Sequence, residues 1–174
     1  EYDGIEQAIK EDDIEQFYKL ISVSSFNAKN RVYLYPLNLE KSIIKKCESY
    51  MQLIAFFGAV KCFKYAIMND AFDLKGISEY AIAGGNNEIV RILEQKGVPF
   101  DNCFESGVKF HRMDLCDWLL MHTQCESIYL YLSLTYFNYP AFFYIMNKRA
   151  PFFYNVLIVA ARNGQIEVIK YIVE

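Results

Sequence analysis

The sequence predicts an all-α fold, a helical solenoid built from about six short helix-turn-helix repeats, and three observations predict it. A phrase recurs along the chain, in which a turn-forming residue is followed by a polar residue and then by paired apolar positions. Asp12, Gly58, Gly85, His111, Asn138 and Gly164 serve as its turn anchors. Their spacings are 46, 27, 26, 27 and 26, so every interval but the first keeps one period. Three and four residues before the anchor stand small or apolar pairs such as Ala8/Ile9, Ala81/Ile82 and Ala160/Ala161, as expected where two helices approach closely. Four, five and eight residues after it come apolar side chains such as Ile89, Val90 and Leu93, which share one face of a 3.6-residue helix. In such an array each repeat touches only its neighbours, so the expected functional feature is a surface and not a closed pocket.

Taken in order, the elements are a first repeat at 1–22, an insertion at 23–42, and repeats at 43–70, 71–97, 98–123, 124–149 and 150–174, all in one array. Glycine suits the anchor because a turn leaving a helix often needs positive φ, which glycine adopts freely and asparagine tolerates. Asp12 and His111 fit less well there, at a strain of about 1 kcal/mol relative to glycine. The insertion holds Ser24, Ser25, Asn27, Asn30 and Pro36 but no anchor phrase, and reads as a loop or helix extension. Its Tyr33, Leu34, Tyr35, Leu37 and Leu39 give it an apolar side that can fold back on the array. The last helix reaches Glu174 without the polar capping unit that a solenoid end needs, so the natural chain is expected to continue.

Two stretches carry a family resemblance. Ala160-Ala161-Arg162-Asn163-Gly164-Gln165-Ile166-Glu167-Val168-Ile169 and Ala81-Ile82-Ala83-Gly84-Gly85-Asn86-Asn87-Glu88-Ile89-Val90 resemble the ankyrin-repeat signature of a small pair, two variable residues, Gly, a polar residue, a variable residue, Glu and two aliphatics. More narrowly, Ala55-Phe56-Phe57-Gly58-Ala59-Val60-Lys61-Cys62-Phe63-Lys64-Tyr65 and Val108-Lys109-Phe110-His111-Arg112 look like an uncharacterised short-repeat ankyrin-type domain family expanded in trichomonad protists. The resemblance covers nearly the whole chain and implies a fold and an interaction role, with no assigned activity. An ankyrin unit has about 33 residues, and the shortfall here falls on its β-hairpin finger, since both helical patterns are intact. The family's opening Thr-Pro-Leu-His is absent, and short links such as Asn69–Lys75 and Lys96–Asn102 take the place of fingers. Binding is then expected to move from finger tips to the groove formed by the first helices.

Composition narrows the partner. With 18 Lys+Arg against 21 Asp+Glu the net charge is −3, which offers no basic stripe for nucleic acid. The longest apolar stretches, Ile128–Phe137 and Phe152–Ala161, fall well short of the roughly 20 residues a membrane-spanning helix needs. No secretory leader is seen. Five cysteines, an odd number without a CxxC pair, point to reduced thiols and an intracellular, cytoplasmic setting.

The chemical constellations are sparse. His111, Cys116, His122 and Cys125 lie within fifteen residues, yet they fall on an inward column, a turn and a loop and do not converge as zinc ligands should. Cys47 and Cys62 sit in apolar helical settings that suit small buried hydrophobes. Two histidines, no nucleophile elbow and no phosphate loop leave no catalytic set to assemble, so the expectation is a non-enzyme without cofactor or metal.

The aromatic content, 14 Phe, 14 Tyr and one Trp, is the better lead. The two positions before each anchor are variable and groove-facing in a regular array, and here they collect Phe56, Phe57, Lys109, Phe110, Tyr136, Phe137 and Arg162. Aromatic residues with arginine dominate interface hot spots, so these residues together with Tyr80 form the candidate surface for a protein or peptide partner. The competing reading turns these rings inward as packing between repeats. Trp118, Tyr65 and Tyr171, seven after the anchor, are assigned to the outer seam. The expected role is therefore a protein-interaction module, monomeric or paired end to end through its last repeat. The alternatives are a structural spacer in a longer array and, third, a metal-dependent or cysteine enzyme.

Overall fold

The computed structural model describes residues 2–23, 47–68, 72–121, 127–148 and 153–174; the 23–42 insertion beyond Val23 lies outside them. The described residues are all helical, with twelve short helices and no strand. They divide into two compact units, Glu1–Pro99 and Phe100–Glu174. No helix among them is long and apolar enough to cross a membrane.

The first unit holds three helical hairpins: α1 (Tyr2–Lys10) with α2 (Ile14–Ile21), α3 (Tyr50–Phe57) with α4 (Val60–Ile67), and α5 (Ser78–Gly84) with α6 (Asn87–Gln95). The second holds three more: α7 (Phe104–Lys109) with α8 (Met113–Met121), α9 (Ser127–Thr135) with α10 (Tyr139–Lys148), and α11 (Phe153–Arg162) with α12 (Ile166–Val173). Within each unit the first helices pack side by side, α1 on α3 on α5 and α7 on α9 on α11. The second helices of the first unit do the same, α2 on α4 on α6. Helices this short are marginal alone in water, so their burial against the next hairpin is what holds them.

The hairpin turn has one design. The residue in left-handed backbone is Asp12, Gly58, Gly85, His111, Phe137 and Gly164 in turn, with φ between 50° and 71°. In five of the six, the next N–H reaches back to the carbonyl four residues before that residue: Asp13 to Ala8, Ala59 to Ile54, Arg112 to Gly107, Asn138 to Ser133 and Gln165 to Ala160. This is the Schellman closure of a helix end. At Gly85 the simpler bond from its own N–H to the Ala81 carbonyl closes the turn.

The fifth anchor is thus Phe137 and not Asn138, a correction of one residue. Asparagine tolerates left-handed backbone better than phenylalanine, which is what favoured it in the sequence. The structure uses Asn138 to cap α10, its Oδ1 accepting the Ala141 N–H at 3.1 Å, and to donate Nδ2 to the Val108 carbonyl at 2.8 Å. The corrected register puts buried Ser133 and Leu134 in the small-residue columns and buried Ala141, Phe142 and Ile145 on the inward stripe of α10.

Polar side chains at the turns stitch neighbouring hairpins together. Asp12 accepts from the N–H groups of Lys61 at 3.1 Å and Cys62 at 2.9 Å, so it caps α4, whose own N-cap Ala59 makes no side-chain bond. Asn86 donates to the Gly58 carbonyl at 3.3 Å while its Oδ1 caps α6. Gln165 and Asn163 both donate to the Leu134 carbonyl, at 2.9 and 3.1 Å.

The link between α6 and α7 is short. Gly97, at φ 73°, ends α6 in a Schellman turn with Val98 N–H on the Leu93 carbonyl, and no strand follows. The Pro99 carbonyl then accepts Ser78 Oγ at 2.6 Å, which fastens the link to α5.

Candidate functional surface

The C-terminal ends of the first helices present the side chains that the sequence singles out. In the first unit Phe56 and Phe57 are half-buried and stack edge to face, with centroids 5.4 Å apart. Lys10 places its ammonium 5.5 Å from the centre of the Phe57 ring and pairs with Glu6 at 2.6 Å. Ala83 and Gly84 break the row of rings for a steric reason. A Cβ on Gly84 would stand 2.3 Å from the Ala55 carbonyl oxygen and 2.6 Å from that of Phe56, so α5 crosses α3 backbone to backbone. Tyr80 lies buried in α5, only 9% exposed. Burial, then the neighbouring Cys47, Glu79 and Glu48, push its phenol well above the ordinary range.

The second unit repeats that arrangement. Lys109 lies 5.2 Å from the centre of the Tyr136 ring, as Lys10 does over Phe57. With the turn set at Phe137, both rings sit one residue before a left-handed residue, and both lysines sit two before theirs. A glutamate four residues before the lysine completes each cluster: Glu6 binds Lys10, and Glu105 accepts the Tyr136 hydroxyl at 3.3 Å. Burial first, and then Glu105, raises the Tyr136 phenol above its usual range. His111 Nε2 donates to the Tyr136 carbonyl at 3.2 Å, so the turn residue of one hairpin is bonded to the main chain of the next. Phe110 is half-buried and Arg162 exposed.

Phe137 stands apart, with 54% of its surface exposed although its backbone is left-handed at φ 54°. Sequence reading had grouped it with the half-buried rings because the register was one residue off. It also missed Glu6, Lys10, Glu105 and His111 as parts of the ring clusters. The i, i+4 spacing of Glu6/Lys10 and Glu105/Lys109 was the available signal, and it becomes legible once the two turns are aligned.

Tyr18 meets Tyr65 at 5.7 Å and Phe143 meets Tyr171 at 5.1 Å, each pair edge to face across neighbouring second helices. Trp118 stacks on Phe100 at 5.0 Å.

The thiols are placed as core. Cys47 and Cys62 are fully buried, and burial pushes both up to about 12, aided by Glu6 at Cys47 and by Asp12 at Cys62. A thiol held protonated in this way is a poor nucleophile and a poor metal ligand. His122 and Cys125 lie outside the described residues, as does the side chain of Cys116. Among the described residues no group of three or more His, Cys, Asp or Glu is placed to hold a metal ion.

Residues 72–145 match the family model described as Domain of unknown function (DUF3447), a stretch that runs from the residues before α5 into α10. Neither a curated protein nor a solved structure matches the chain.

Proposed function

We propose that the chain is an ankyrin-type helical array that serves as a protein-protein interaction module, binding a protein or peptide along the C-terminal ends of its first helices. Phe137 carries this reading. Left-handed backbone at a phenylalanine costs about 1–2 kcal/mol, and leaving a large ring in water forgoes its burial energy as well. A position that departs from both local rules is where a functional site is expected. The preceding Tyr136, with Lys109 over its ring, and the exposed Arg162 supply the ring and cation chemistry common in interface hot spots. The reading requires neither cofactor nor catalytic group. It includes a monomeric, cytoplasmic protein, where the buried thiols Cys47 and Cys62 stay reduced.

One observation favours the spacer alternative for the first unit. Phe56 and Phe57 are half-buried on each other and under Lys10, which is how rings behave when they serve packing.

The test is affinity capture with the intact chain, Phe137→Ser and Tyr171→Ser, the last altering an equally exposed ring on the outer seam. Circular dichroism first establishes that helicity is kept. Loss of a specific partner with Phe137→Ser alone supports the proposal, while equal capture by all three chains refutes binding at this surface.

A further inference from the structure

Asn163-Gly164 is the sole Asn-Gly dipeptide in the sequence. Its chemistry is set by the missing Cβ of Gly164, which leaves the glycine nitrogen open to attack the asparagine side chain. In that reaction the deprotonated Gly164 nitrogen bonds to Asn163 Cγ, the Cγ–Nδ2 bond breaks, and Nδ2 departs as ammonia. Water then opens the resulting succinimide at either carbonyl, giving aspartate or isoaspartate. The net change is amide plus water to acid plus ammonia, with no redox step.

The fold engages both nitrogens of this reaction, the leaving amide and the attacking main-chain group. Asn163 Nδ2 is donated to the Leu134 carbonyl of α9 at 3.1 Å, which fixes the side chain across the hairpin boundary. The Gly164 N–H is donated to the Ala161 carbonyl at 3.2 Å, and the Asn163 N–H to the Val159 carbonyl at 2.9 Å. The turn is closed beyond them by Gln165 N–H on the Ala160 carbonyl at 2.8 Å. Bringing the Gly164 nitrogen onto Cγ requires that these bonds open together, which means local opening of the α11–α12 hairpin.

We propose that Asn163-Gly164 is a spontaneous deamidation site that the folded hairpin holds closed and that its opening releases. The conversion is one-way in its effect. An aspartate at 163 presents a carboxylate to the Leu134 carbonyl, two acceptors where a donor and an acceptor had met. An isoaspartate adds a main-chain carbon inside the Schellman turn. Either product weakens the docking of α11 on α9, so a hairpin that has opened for long enough does not return to its former hold.

The experiment incubates the intact chain at one neutral pH with and without urea and follows Asn163 by peptide mass mapping with isoaspartyl detection. Conversion is expected in urea and at least about tenfold more slowly in the folded chain, the ratio set by local opening. Equal rates in the two states, or no conversion in urea, would overturn the proposal. Gly164→Ala, where the new Cβ meets no atom within 4 Å, should suppress conversion in urea. Persistence of conversion at 163 in that variant would also overturn it. Asn163→Asp reports the consequence without the chemistry: a lower urea midpoint is expected, and an unchanged midpoint would refute the claimed loss of docking.

Discussion

The two units carry the same cluster of glutamate, lysine and aromatic ring, yet they surround it with different turns. In the first unit the turn after the ring-bearing helix is Gly58, unstrained at positive φ, and Gly84 in the next hairpin lets α5 lie directly on the α3 backbone. In the second unit the corresponding turn is Phe137, which holds strained backbone and projects a phenyl ring into solvent, while the turn after the lysine-bearing helix carries a side chain in both units, Asp12 capping α4 in the first and His111 bonding to the Tyr136 carbonyl in the second. Glycine at the turn favours close packing, whereas a side chain there gives up some stability to present a group. The same architecture can therefore be tuned toward cohesion or toward display by one residue per hairpin.

The largest effect should come from Gly84→Ala. Alanine gains up to about 1 kcal/mol of helix propensity, but its Cβ would overlap two backbone carbonyls that cannot step aside as a side chain would. A net loss of roughly 2 kcal/mol is expected in urea unfolding. A neutral or stabilising result would show that the α3–α5 approach is not tight.

Alkaline pH should weaken the first unit next. Cys47 and Cys62 stay protonated in the fold to about 12, whereas their ordinary value is 9.0. Their contribution is complete below pH 9 and is lost as pH rises toward 12, the window between the ordinary and the folded value of each thiol. A Cys47→Ala/Cys62→Ala chain followed by circular dichroism should show a flatter decline across that window than the parent. Parallel curves would remove the thiols from the account.

Asp12→Ala should cost about 1 kcal/mol, because α4 would lose the side-chain cap that Asp12 gives it. It should also bring the Cys62 thiol down, since Asp12 is the largest influence on it after burial, and faster alkylation of Cys62 than in the parent would register this. Unchanged stability would mean that solvent caps α4 as well as the carboxylate does.

Smallest of all, Phe137→Gly should leave stability unchanged or raise it by up to about 1 kcal/mol as the left-handed strain is relieved. His111→Gly should gain less, because it also forfeits the bond to the Tyr136 carbonyl. A clear loss on Phe137→Gly would mean that the ring supports the fold, and the contrast between cohesive and displaying turns would fail.

Much of this was legible in the sequence. The period located all six hairpins, and its inward columns foretold the burial of Ile54, Ala81, Ile89, Leu93 and Leu119. The ring clusters were not legible, because each pairs a lysine with a ring on the following hairpin, and a one-residue slip in the fifth turn separated Tyr136 from its equivalent Phe57.

By itself the sequence determined the helices, their pairing into hairpins and the inward stripe of each second helix, all of which follow from local periodicity and turn chemistry. Only the tertiary structure decided which residue takes the left-handed turn when Phe137 and Asn138 compete. Local preference favours asparagine there, but the bonds from Asn138 to Val108 of the preceding hairpin and to the start of α10 outweigh it. The exposure of Phe137 follows from that choice, since a side chain on a left-handed turn residue cannot follow the helix inward.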